Sequence, residues 1–262
     1  MQLADARHVL VTGAAGAIGG ALAELLEREC PRARMTLVDR HWRSPPAIDK
    51  KPLPNGVVWD LSKPDTLEAA WADVVKDGDV DVLVNCAGFM ELVSFAGTPW
   101  ELGRTLLDVD LVSPLRLMSL AVPSMTKAKR GAVVNVASLA GLVPLRGSSY
   151  YGAAKAGLAM ASEIAHLELR PHGVDVVTVY PGPVASELER RARAQVPATF
   201  VSRAIPTGDA RGLASAVVRA VKKRAGRVIY PPVYQPAAEM LSIARRVTAR
   251  FSPSPHDQGE AK

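Results

Sequence analysis

Tyr151 and Lys155 stand four residues apart in the run Ser148-Ser149-Tyr150-Tyr151-Gly152-Ala153-Ala154-Lys155. On a helix, that spacing stacks both side chains on one face. A phenol beside an ammonium ionises more easily, because the positive charge favours phenolate. A tyrosine tuned in this way can exchange a proton with an alcohol or ketone near neutral pH. Ser138 follows the apolar run Ala132 to Ala137, thirteen residues before Tyr151, where its hydroxyl can hold the same substrate oxygen. Tyr-x-x-x-Lys is also a common surface pair on helices, so its meaning depends on the elements that position it.

Those elements begin at the N-terminus. His8-Val9-Leu10-Val11-Thr12 reads as a strand and runs into Gly13-Ala14-Ala15-Gly16-Ala17-Ile18-Gly19-Gly20, nearly all small residues; helical apolar spacing follows from Ala21 to Glu27. A strand, a small-residue turn and a helix N-terminus together can cradle a pyrophosphate. A second strand, Met35 to Val38, ends at Asp39, about 20 residues past the turn, where a carboxylate can accept hydrogen bonds from ribose hydroxyls. Asp39 argues for NAD; the adjacent Arg40 would instead welcome the extra phosphate of NADP. The dipeptide also reads as an ordinary polar strand end.

Further strands are predicted at Val57–Trp59, Val80–Val84, Ala132–Ala137, Val174–Val179 and Arg227–Tyr230. Helices are predicted at Asp65–Val75, Trp100–Ala121, Tyr150–Arg170, Asp209–Arg224 and Ala237–Phe251. His41 to Asn55 reads as a Pro- and Lys-rich loop. Strands apolar on both faces, alternating with helices, predict an α/β doubly wound parallel sheet of about seven strands with helices on both faces. Ligands of such sheets bind beyond the strand carboxyl ends, and Gly13, Asp39, Asp60, Asn85, Ser138 and Pro181 all fall at such ends.

Composition sets the limits. A chain of 262 residues, 48% hydrophobic and 22% charged, suits one domain, taken as residues 1–251. Residues 252–262 are predicted to be a disordered tail. No uninterrupted apolar run is long enough to span a bilayer, and the N-terminus lacks a secretory signal pattern. Two cysteines, Cys30 and Cys86, suggest neither a metal site nor a disulfide framework, and a cytoplasmic location is expected. Residues 186–262 carry 14 Lys and Arg against 6 Asp and Glu, whereas residues 1–185 are slightly acidic. With no interleaved aromatics or nucleic-acid motif, nucleic-acid binding is not expected. Stable membrane insertion is not expected either, and peripheral membrane contact is left open.

With these residues in place, the chain resembles the short-chain dehydrogenase/reductase family, whose fold is of the Rossmann type. Thr12-Gly13-x-x-x-Ala17-Ile18-Gly19 is similar to the family's cofactor turn, which also draws in Gly16. Asp60-Leu61 resembles the pair that meets the adenine. Asn85-Cys86-Ala87-Gly88 resembles Asn-Asn-Ala-Gly. Pro181-Gly182-x-Val184 resembles the segment backing the nicotinamide, with Ser186 where a threonine often contacts its amide. Ser138, Tyr151 and Lys155 match the catalytic serine, tyrosine and lysine. Asp110 stands where the family usually carries an asparagine that completes a tetrad; a carboxylate only accepts hydrogen bonds, whereas an amide also donates.

The resemblance implies an NAD(P)-dependent enzyme that interconverts a secondary alcohol and a ketone by hydride transfer, as a homodimer or homotetramer. NAD is the expected cofactor and NADP the alternative. The basic segment 185–207 is placed to cover a substrate. With the amphipathic helix 237–251, it suggests an apolar, lipid- or steroid-like one. The competing reading is a catalytically weak dinucleotide-binding regulator on the same fold, which Asp110 alone favours.

Overall fold

The computed structural model describes residues 2–42, 47–48, 51–52, 56–196 and 206–255. Its strands are β1 (His8–Thr12), β2 (Arg34–Asp39), β3 (Ala47–Ile48), β4 (Lys51–Pro52), β5 (Gly56–Val58), β6 (Val82–Asn85), β7 (Gly131–Val136), β8 (Val174–Pro181) and β9 (Arg227–Tyr230). Seven of them form one parallel sheet in the order β5-β2-β1-β6-β7-β8-β9. The chain order reverses between β1 and β6, so a crevice opens beyond their carboxyl ends. Within the segment read as a loop, β3 and β4 pair as a short antiparallel hairpin, and the rest of that segment lies outside the described residues.

The major helices are α1 (Ala17–Glu29), α2 (Leu67–Val75), α3 (Trp100–Leu107), α4 (Ser113–Ala128), α5 (Ser149–Leu169), α6 (Glu187–Ala194), α7 (Ala210–Lys222), α8 (Gln235–Glu239) and α9 (Leu241–Phe251). Strands β1, β7 and β8 are buried along their whole length, as Val-rich strands are when both faces are covered. Val9 and Val11 pack with Leu22 and Leu26 of α1 and Leu213 and Val217 of α7. Leu10 points the other way, into the cluster with Trp71 of α2 and Leu117 of α4. Full burial of Leu22 or Leu26 is worth about 1.5–3 kcal/mol each. The predicted doubly wound sheet is therefore the one observed.

Two predicted helices are broken. The stretch read as one helix from Trp100 to Ala121 is α3, one π-helical turn at Asp108–Val112, and α4. The Ser113 N–H reaches back five residues to the Asp108 carbonyl. Pro114 has no N–H for the Asp110 carbonyl, which favours such a break. The helix then runs on through Pro123, which lies on its exposed side, to Ala128. The predicted helix 237–251 divides at Met240, whose φ of −102° and ψ of 51° are not helical. Helix α8 buries Ala238, whereas α9 buries nothing.

Residues 252–255 follow α9 along the segment after β7. The Arg146 N–H donates to Ser252 Oγ at 3.0 Å, and a Cβ on Gly147 would meet Pro255. Residues 256–262, and residues 197–205 of the expected substrate cover, lie outside the described residues.

Candidate active site

Each predicted residue reaches its place through one of these elements. β7 ends just before Ser138, whose hydroxyl accepts the Ala140 N–H at 3.0 Å and starts a tight turn. That turn leads to α5, whose first turns carry Tyr151 and Lys155, 7% and 4% exposed. The Lys155 ammonium sits 5.8 Å from the Tyr151 ring centroid. It donates to the Val136 carbonyl at 2.9 Å and pairs with Asp110 Oδ1 at 3.0 Å. Ser138, Tyr151, Lys155 and Asp110 all line one cleft of about 190 Å³.

Asp110 is fully buried within the π turn. Its Oδ2 accepts the Phe89 N–H at 3.4 Å. Gly88 makes room for it: a Cβ there would collide with Asp110 Oδ1 and come within 3.2 Å of Lys155 Nζ.

Burial pushes the Asp110 carboxyl up, against the pull of Lys155. Burial also opposes the charge on Lys155, but Asp110 and then Tyr151 outweigh it, so its pKa is raised and the ammonium is held. For Tyr151 the expected depression is not the net result. Burial raises the phenol; Lys155 lowers it, Asp110 raises it again, and the Ser138 hydroxyl within hydrogen-bond reach lowers it. Lys155 acts in the predicted direction, but Asp110 offsets part of its charge and the phenol lies above its ordinary value.

The small-residue turn fits a dinucleotide. Gly13 has a φ of +70°, and a Cβ there would lie 2.7 Å from the Ala87 backbone. A Cβ on Gly19 would strike the Gly13 carbonyl, so the helix packs directly on the turn. Ala15, Gly16 and Ala17 are exposed at the mouth of α1, whose first N–H groups, through Ile18 and Gly19, have no intrahelical partner. Ile18 also lines the cleft. Asp39 Oδ2 accepts the Ala15 N–H at 2.9 Å, and Oδ1 the Arg40 N–H at 2.7 Å, which fixes the carboxylate beside the turn. Arg40 is exposed.

Asp60 lies further along this edge. It accepts the Ser62 hydroxyl at 2.7 Å, which together with the Ser62 N–H holds it below the usual carboxylate range. Leu61 is buried, and its carbonyl accepts the Ser113 hydroxyl at 2.6 Å.

Asn85 is not turned toward the cleft. Its amide donates to Asn135 Oδ1 at 2.8 Å and to the Pro114 carbonyl at 3.3 Å, bracing β6 against β7 and α4. Ala87 and Gly88 continue from it at the β6 end. On the far wall lie Pro181, Gly182, Val184 and Ser186. Ser186 caps α6 by accepting the Glu189 N–H at 3.1 Å.

Two residues given no role of their own in the sequence reading shape the site. Thr12 Oγ1 accepts the Cys86 and Ala87 N–H groups at 3.1 and 3.2 Å, tying the β1 turn to the β6 end. Gln195 accepts the Leu92 N–H at 3.0 Å and donates to Glu91, joining the segment after α6 to the loop across the cleft. The threonine directly before the glycine turn was a readable signal; nothing local marked Gln195. A larger hollow, about 380 Å³ between α1 and α7, is lined by Glu24, Arg28 and Arg211 and lies away from this chemistry.

This architecture defines a dinucleotide-dependent dehydrogenase, and comparison with known proteins agrees. The sequence profile of the short chain dehydrogenase family matches residues 7–197, and the chain belongs to that family. It is an NAD(P)-dependent oxidoreductase. An uncharacterized oxidoreductase of Myxococcus xanthus is 31% identical over 249 residues, covering 90% of this chain and 97% of that protein. A short-chain dehydrogenase from Sphingobium yanoikuyae, solved with NADPH, superposes with a TM-score of 0.77 at 26% identity, covering 98% of each chain. A 4-hydroxyisoleucine dehydrogenase solved with NADH shares the fold, with a TM-score of 0.74 at 20% identity over 85% of this chain and 96% of that one.

Proposed function

We propose that the chain interconverts a secondary alcohol and its ketone, with Tyr151 exchanging the proton at the substrate oxygen. The observation that carries this reading is the convergence of Ser138, Tyr151 and Lys155 on one cleft beside the small-residue turn. Bound NAD(P) supplies the hydride acceptor or donor. Ser138 holds the reacting oxygen against the phenol. Lys155 donates to the Val136 carbonyl, pairs with Asp110, and offers a remaining N–H to the nicotinamide ribose. Gly13 to Gly19 hold the pyrophosphate. Asp39 takes the adenosine ribose hydroxyls, Asp60-Leu61 meet the adenine, and Pro181 to Ser186 back the nicotinamide. Ala87 and Gly88 bound the cofactor by their backbone.

NAD is the favoured cofactor because Asp39 is fixed at the turn; Arg40, exposed beside it, supports NADP as the alternative. The substrate is apolar, as Met90, Leu139, Leu145 and Leu188 around the polar triad support. Met160, Ile164 and Leu167 form an exposed apolar stripe on α5, 60%, 47% and 74% exposed, which supports homodimer or homotetramer formation through that helix. No helix among the described residues is long and apolar enough to cross a membrane. We assign the protein to the cytoplasm on its two free cysteines.

Thermal stabilisation of the full chain by NAD, NADH, NADP and NADPH, followed by a panel of cyclic, steroidal and long-chain alcohols, tests the reading. Ligand at about 100 times its Kd should raise Tm by several degrees, and at least one alcohol should be oxidised. Stabilisation by none of the four dinucleotides would overturn it.

A further inference from the structure

Helix α9 is held against the protein with Leu241 and Ala244 half-buried, yet leaves an apolar ladder uncovered. Met240 just before it, and Ile243, Val247 and Phe251 along it, recur at helical spacing and are 54%, 51%, 52% and 59% exposed. Arg246 and Arg250 adjoin that ladder, and neither has an ion-pair partner among the described residues. From Met240 to Pro255 the sequence has three arginines and no acidic residue. The nearest carboxylate in sequence, Glu239, accepts the Gln235 amide at 2.7 Å.

The placement is fixed from beneath. The Arg245 guanidinium donates to the Leu142 carbonyl at 3.4 Å, and the Arg146 guanidinium to the Ala249 carbonyl at 3.5 Å. Residues 142 and 146 belong to the segment whose Leu139 and Leu145 line the cleft. The uncovered face therefore stands next to the cleft mouth.

We propose that α9 is a docking surface for an anionic lipid bilayer, with Ile243, Val247 and Phe251 entering the boundary between headgroups and acyl chains and Arg246 and Arg250 engaging lipid phosphates. A helix with an apolar ladder and purely basic flanks has the charge pattern of an interfacial helix. Pairing with the same face of a second copy would bring arginine against arginine, so charge complementarity selects the lipid. Docking there sets the cleft mouth beside the membrane surface. The inference rests on this surface alone and stands apart from the hydride chemistry.

Co-sedimentation of the full chain with vesicles tests it, using phosphatidylcholine alone and phosphatidylcholine with about one third phosphatidylglycerol, at low and high salt. The chain should bind the anionic vesicles at low salt, release at high salt, and bind neutral vesicles weakly. Each arginine near the surface is worth about fivefold in affinity, so Arg246→Glu with Arg250→Glu should weaken binding by at least about 25-fold and leave turnover unchanged. Val247→Ser with Phe251→Ser should also abolish binding. Should the serine variant fail to fold, the exposed arginine pair decides alone. Absence of vesicle binding, or equal binding to neutral vesicles, would overturn the proposal. So would a serine variant that converts an oligomer to monomers in light scattering while vesicle binding is unaffected.

Discussion

Asp110 Oδ1 lies 3.0 Å from Lys155 Nζ, a buried ion pair at the base of the candidate cleft. The family resemblance predicts an amide here, and this chain places a carboxylate. The pair couples the π turn to the first turns of α5, and so couples helix geometry to the electrostatics of Tyr151.

The consequence is a pH dependence with a definite sign. Asp110 raises the Tyr151 pKa, so removing its charge lowers it. In the proposed reaction, alcohol oxidation needs the phenolate. Asp110→Asn should therefore move the acid limb of the oxidation profile to lower pH. An unmoved limb would show that the carboxylate does not act on the phenol. Asp110→Ala, which leaves Lys155 buried without an anion, should cost about 3–5 kcal/mol of stability by denaturant unfolding.

Gly88 is the spacer that lets this pair form. A Cβ there would run into Asp110 and approach Lys155. Because both side chains are buried and ion-paired, neither yields freely. Gly88→Ala should lower kcat at least about tenfold, an effect of about 1.4 kcal/mol or more. Wild-type kcat in this variant would contradict the tight packing described here.

Gln195 joins the segment after α6 to the loop at Glu91 and Leu92. If this bridge closes the cleft over substrate, Gln195→Ala should raise KM several-fold with a smaller change in kcat. Steady-state kinetics with any accepted alcohol separates the two. A fall in kcat alone would place Gln195 with the chemistry instead.

Much of this was legible in the sequence because the signals are local. Val-rich strands, the Gly13 to Gly19 turn and the Tyr151–Lys155 spacing each follow from short-range patterns, and the observed strands lie within a few residues of the predicted ones. The misreadings come from tertiary context. The π turn at Asp108–Val112 and the passage of α4 through Pro123 cannot be seen in apolar periodicity, which continues across both. The helix expected at 237–251 breaks at Met240, because only its first part reaches the core. The direction of the Tyr151 shift was misjudged because spacing reveals Lys155, but neither the burial nor the carboxylate behind it. Asn85 shows the limit of motif transfer, since its side chain braces the sheet.

In the proposed reaction the Tyr151 phenol carries the proton. Tyr151→Phe deletes one oxygen and leaves the ring packed with Leu106 and Ala140. Its turnover, measured by NAD(P)H absorbance beside dinucleotide affinity by fluorescence, is the most direct test. Turnover should fall by about 10²–10⁴-fold while dinucleotide affinity stays within a few-fold of wild type. A phenylalanine variant that turned over at the wild-type rate would contradict it.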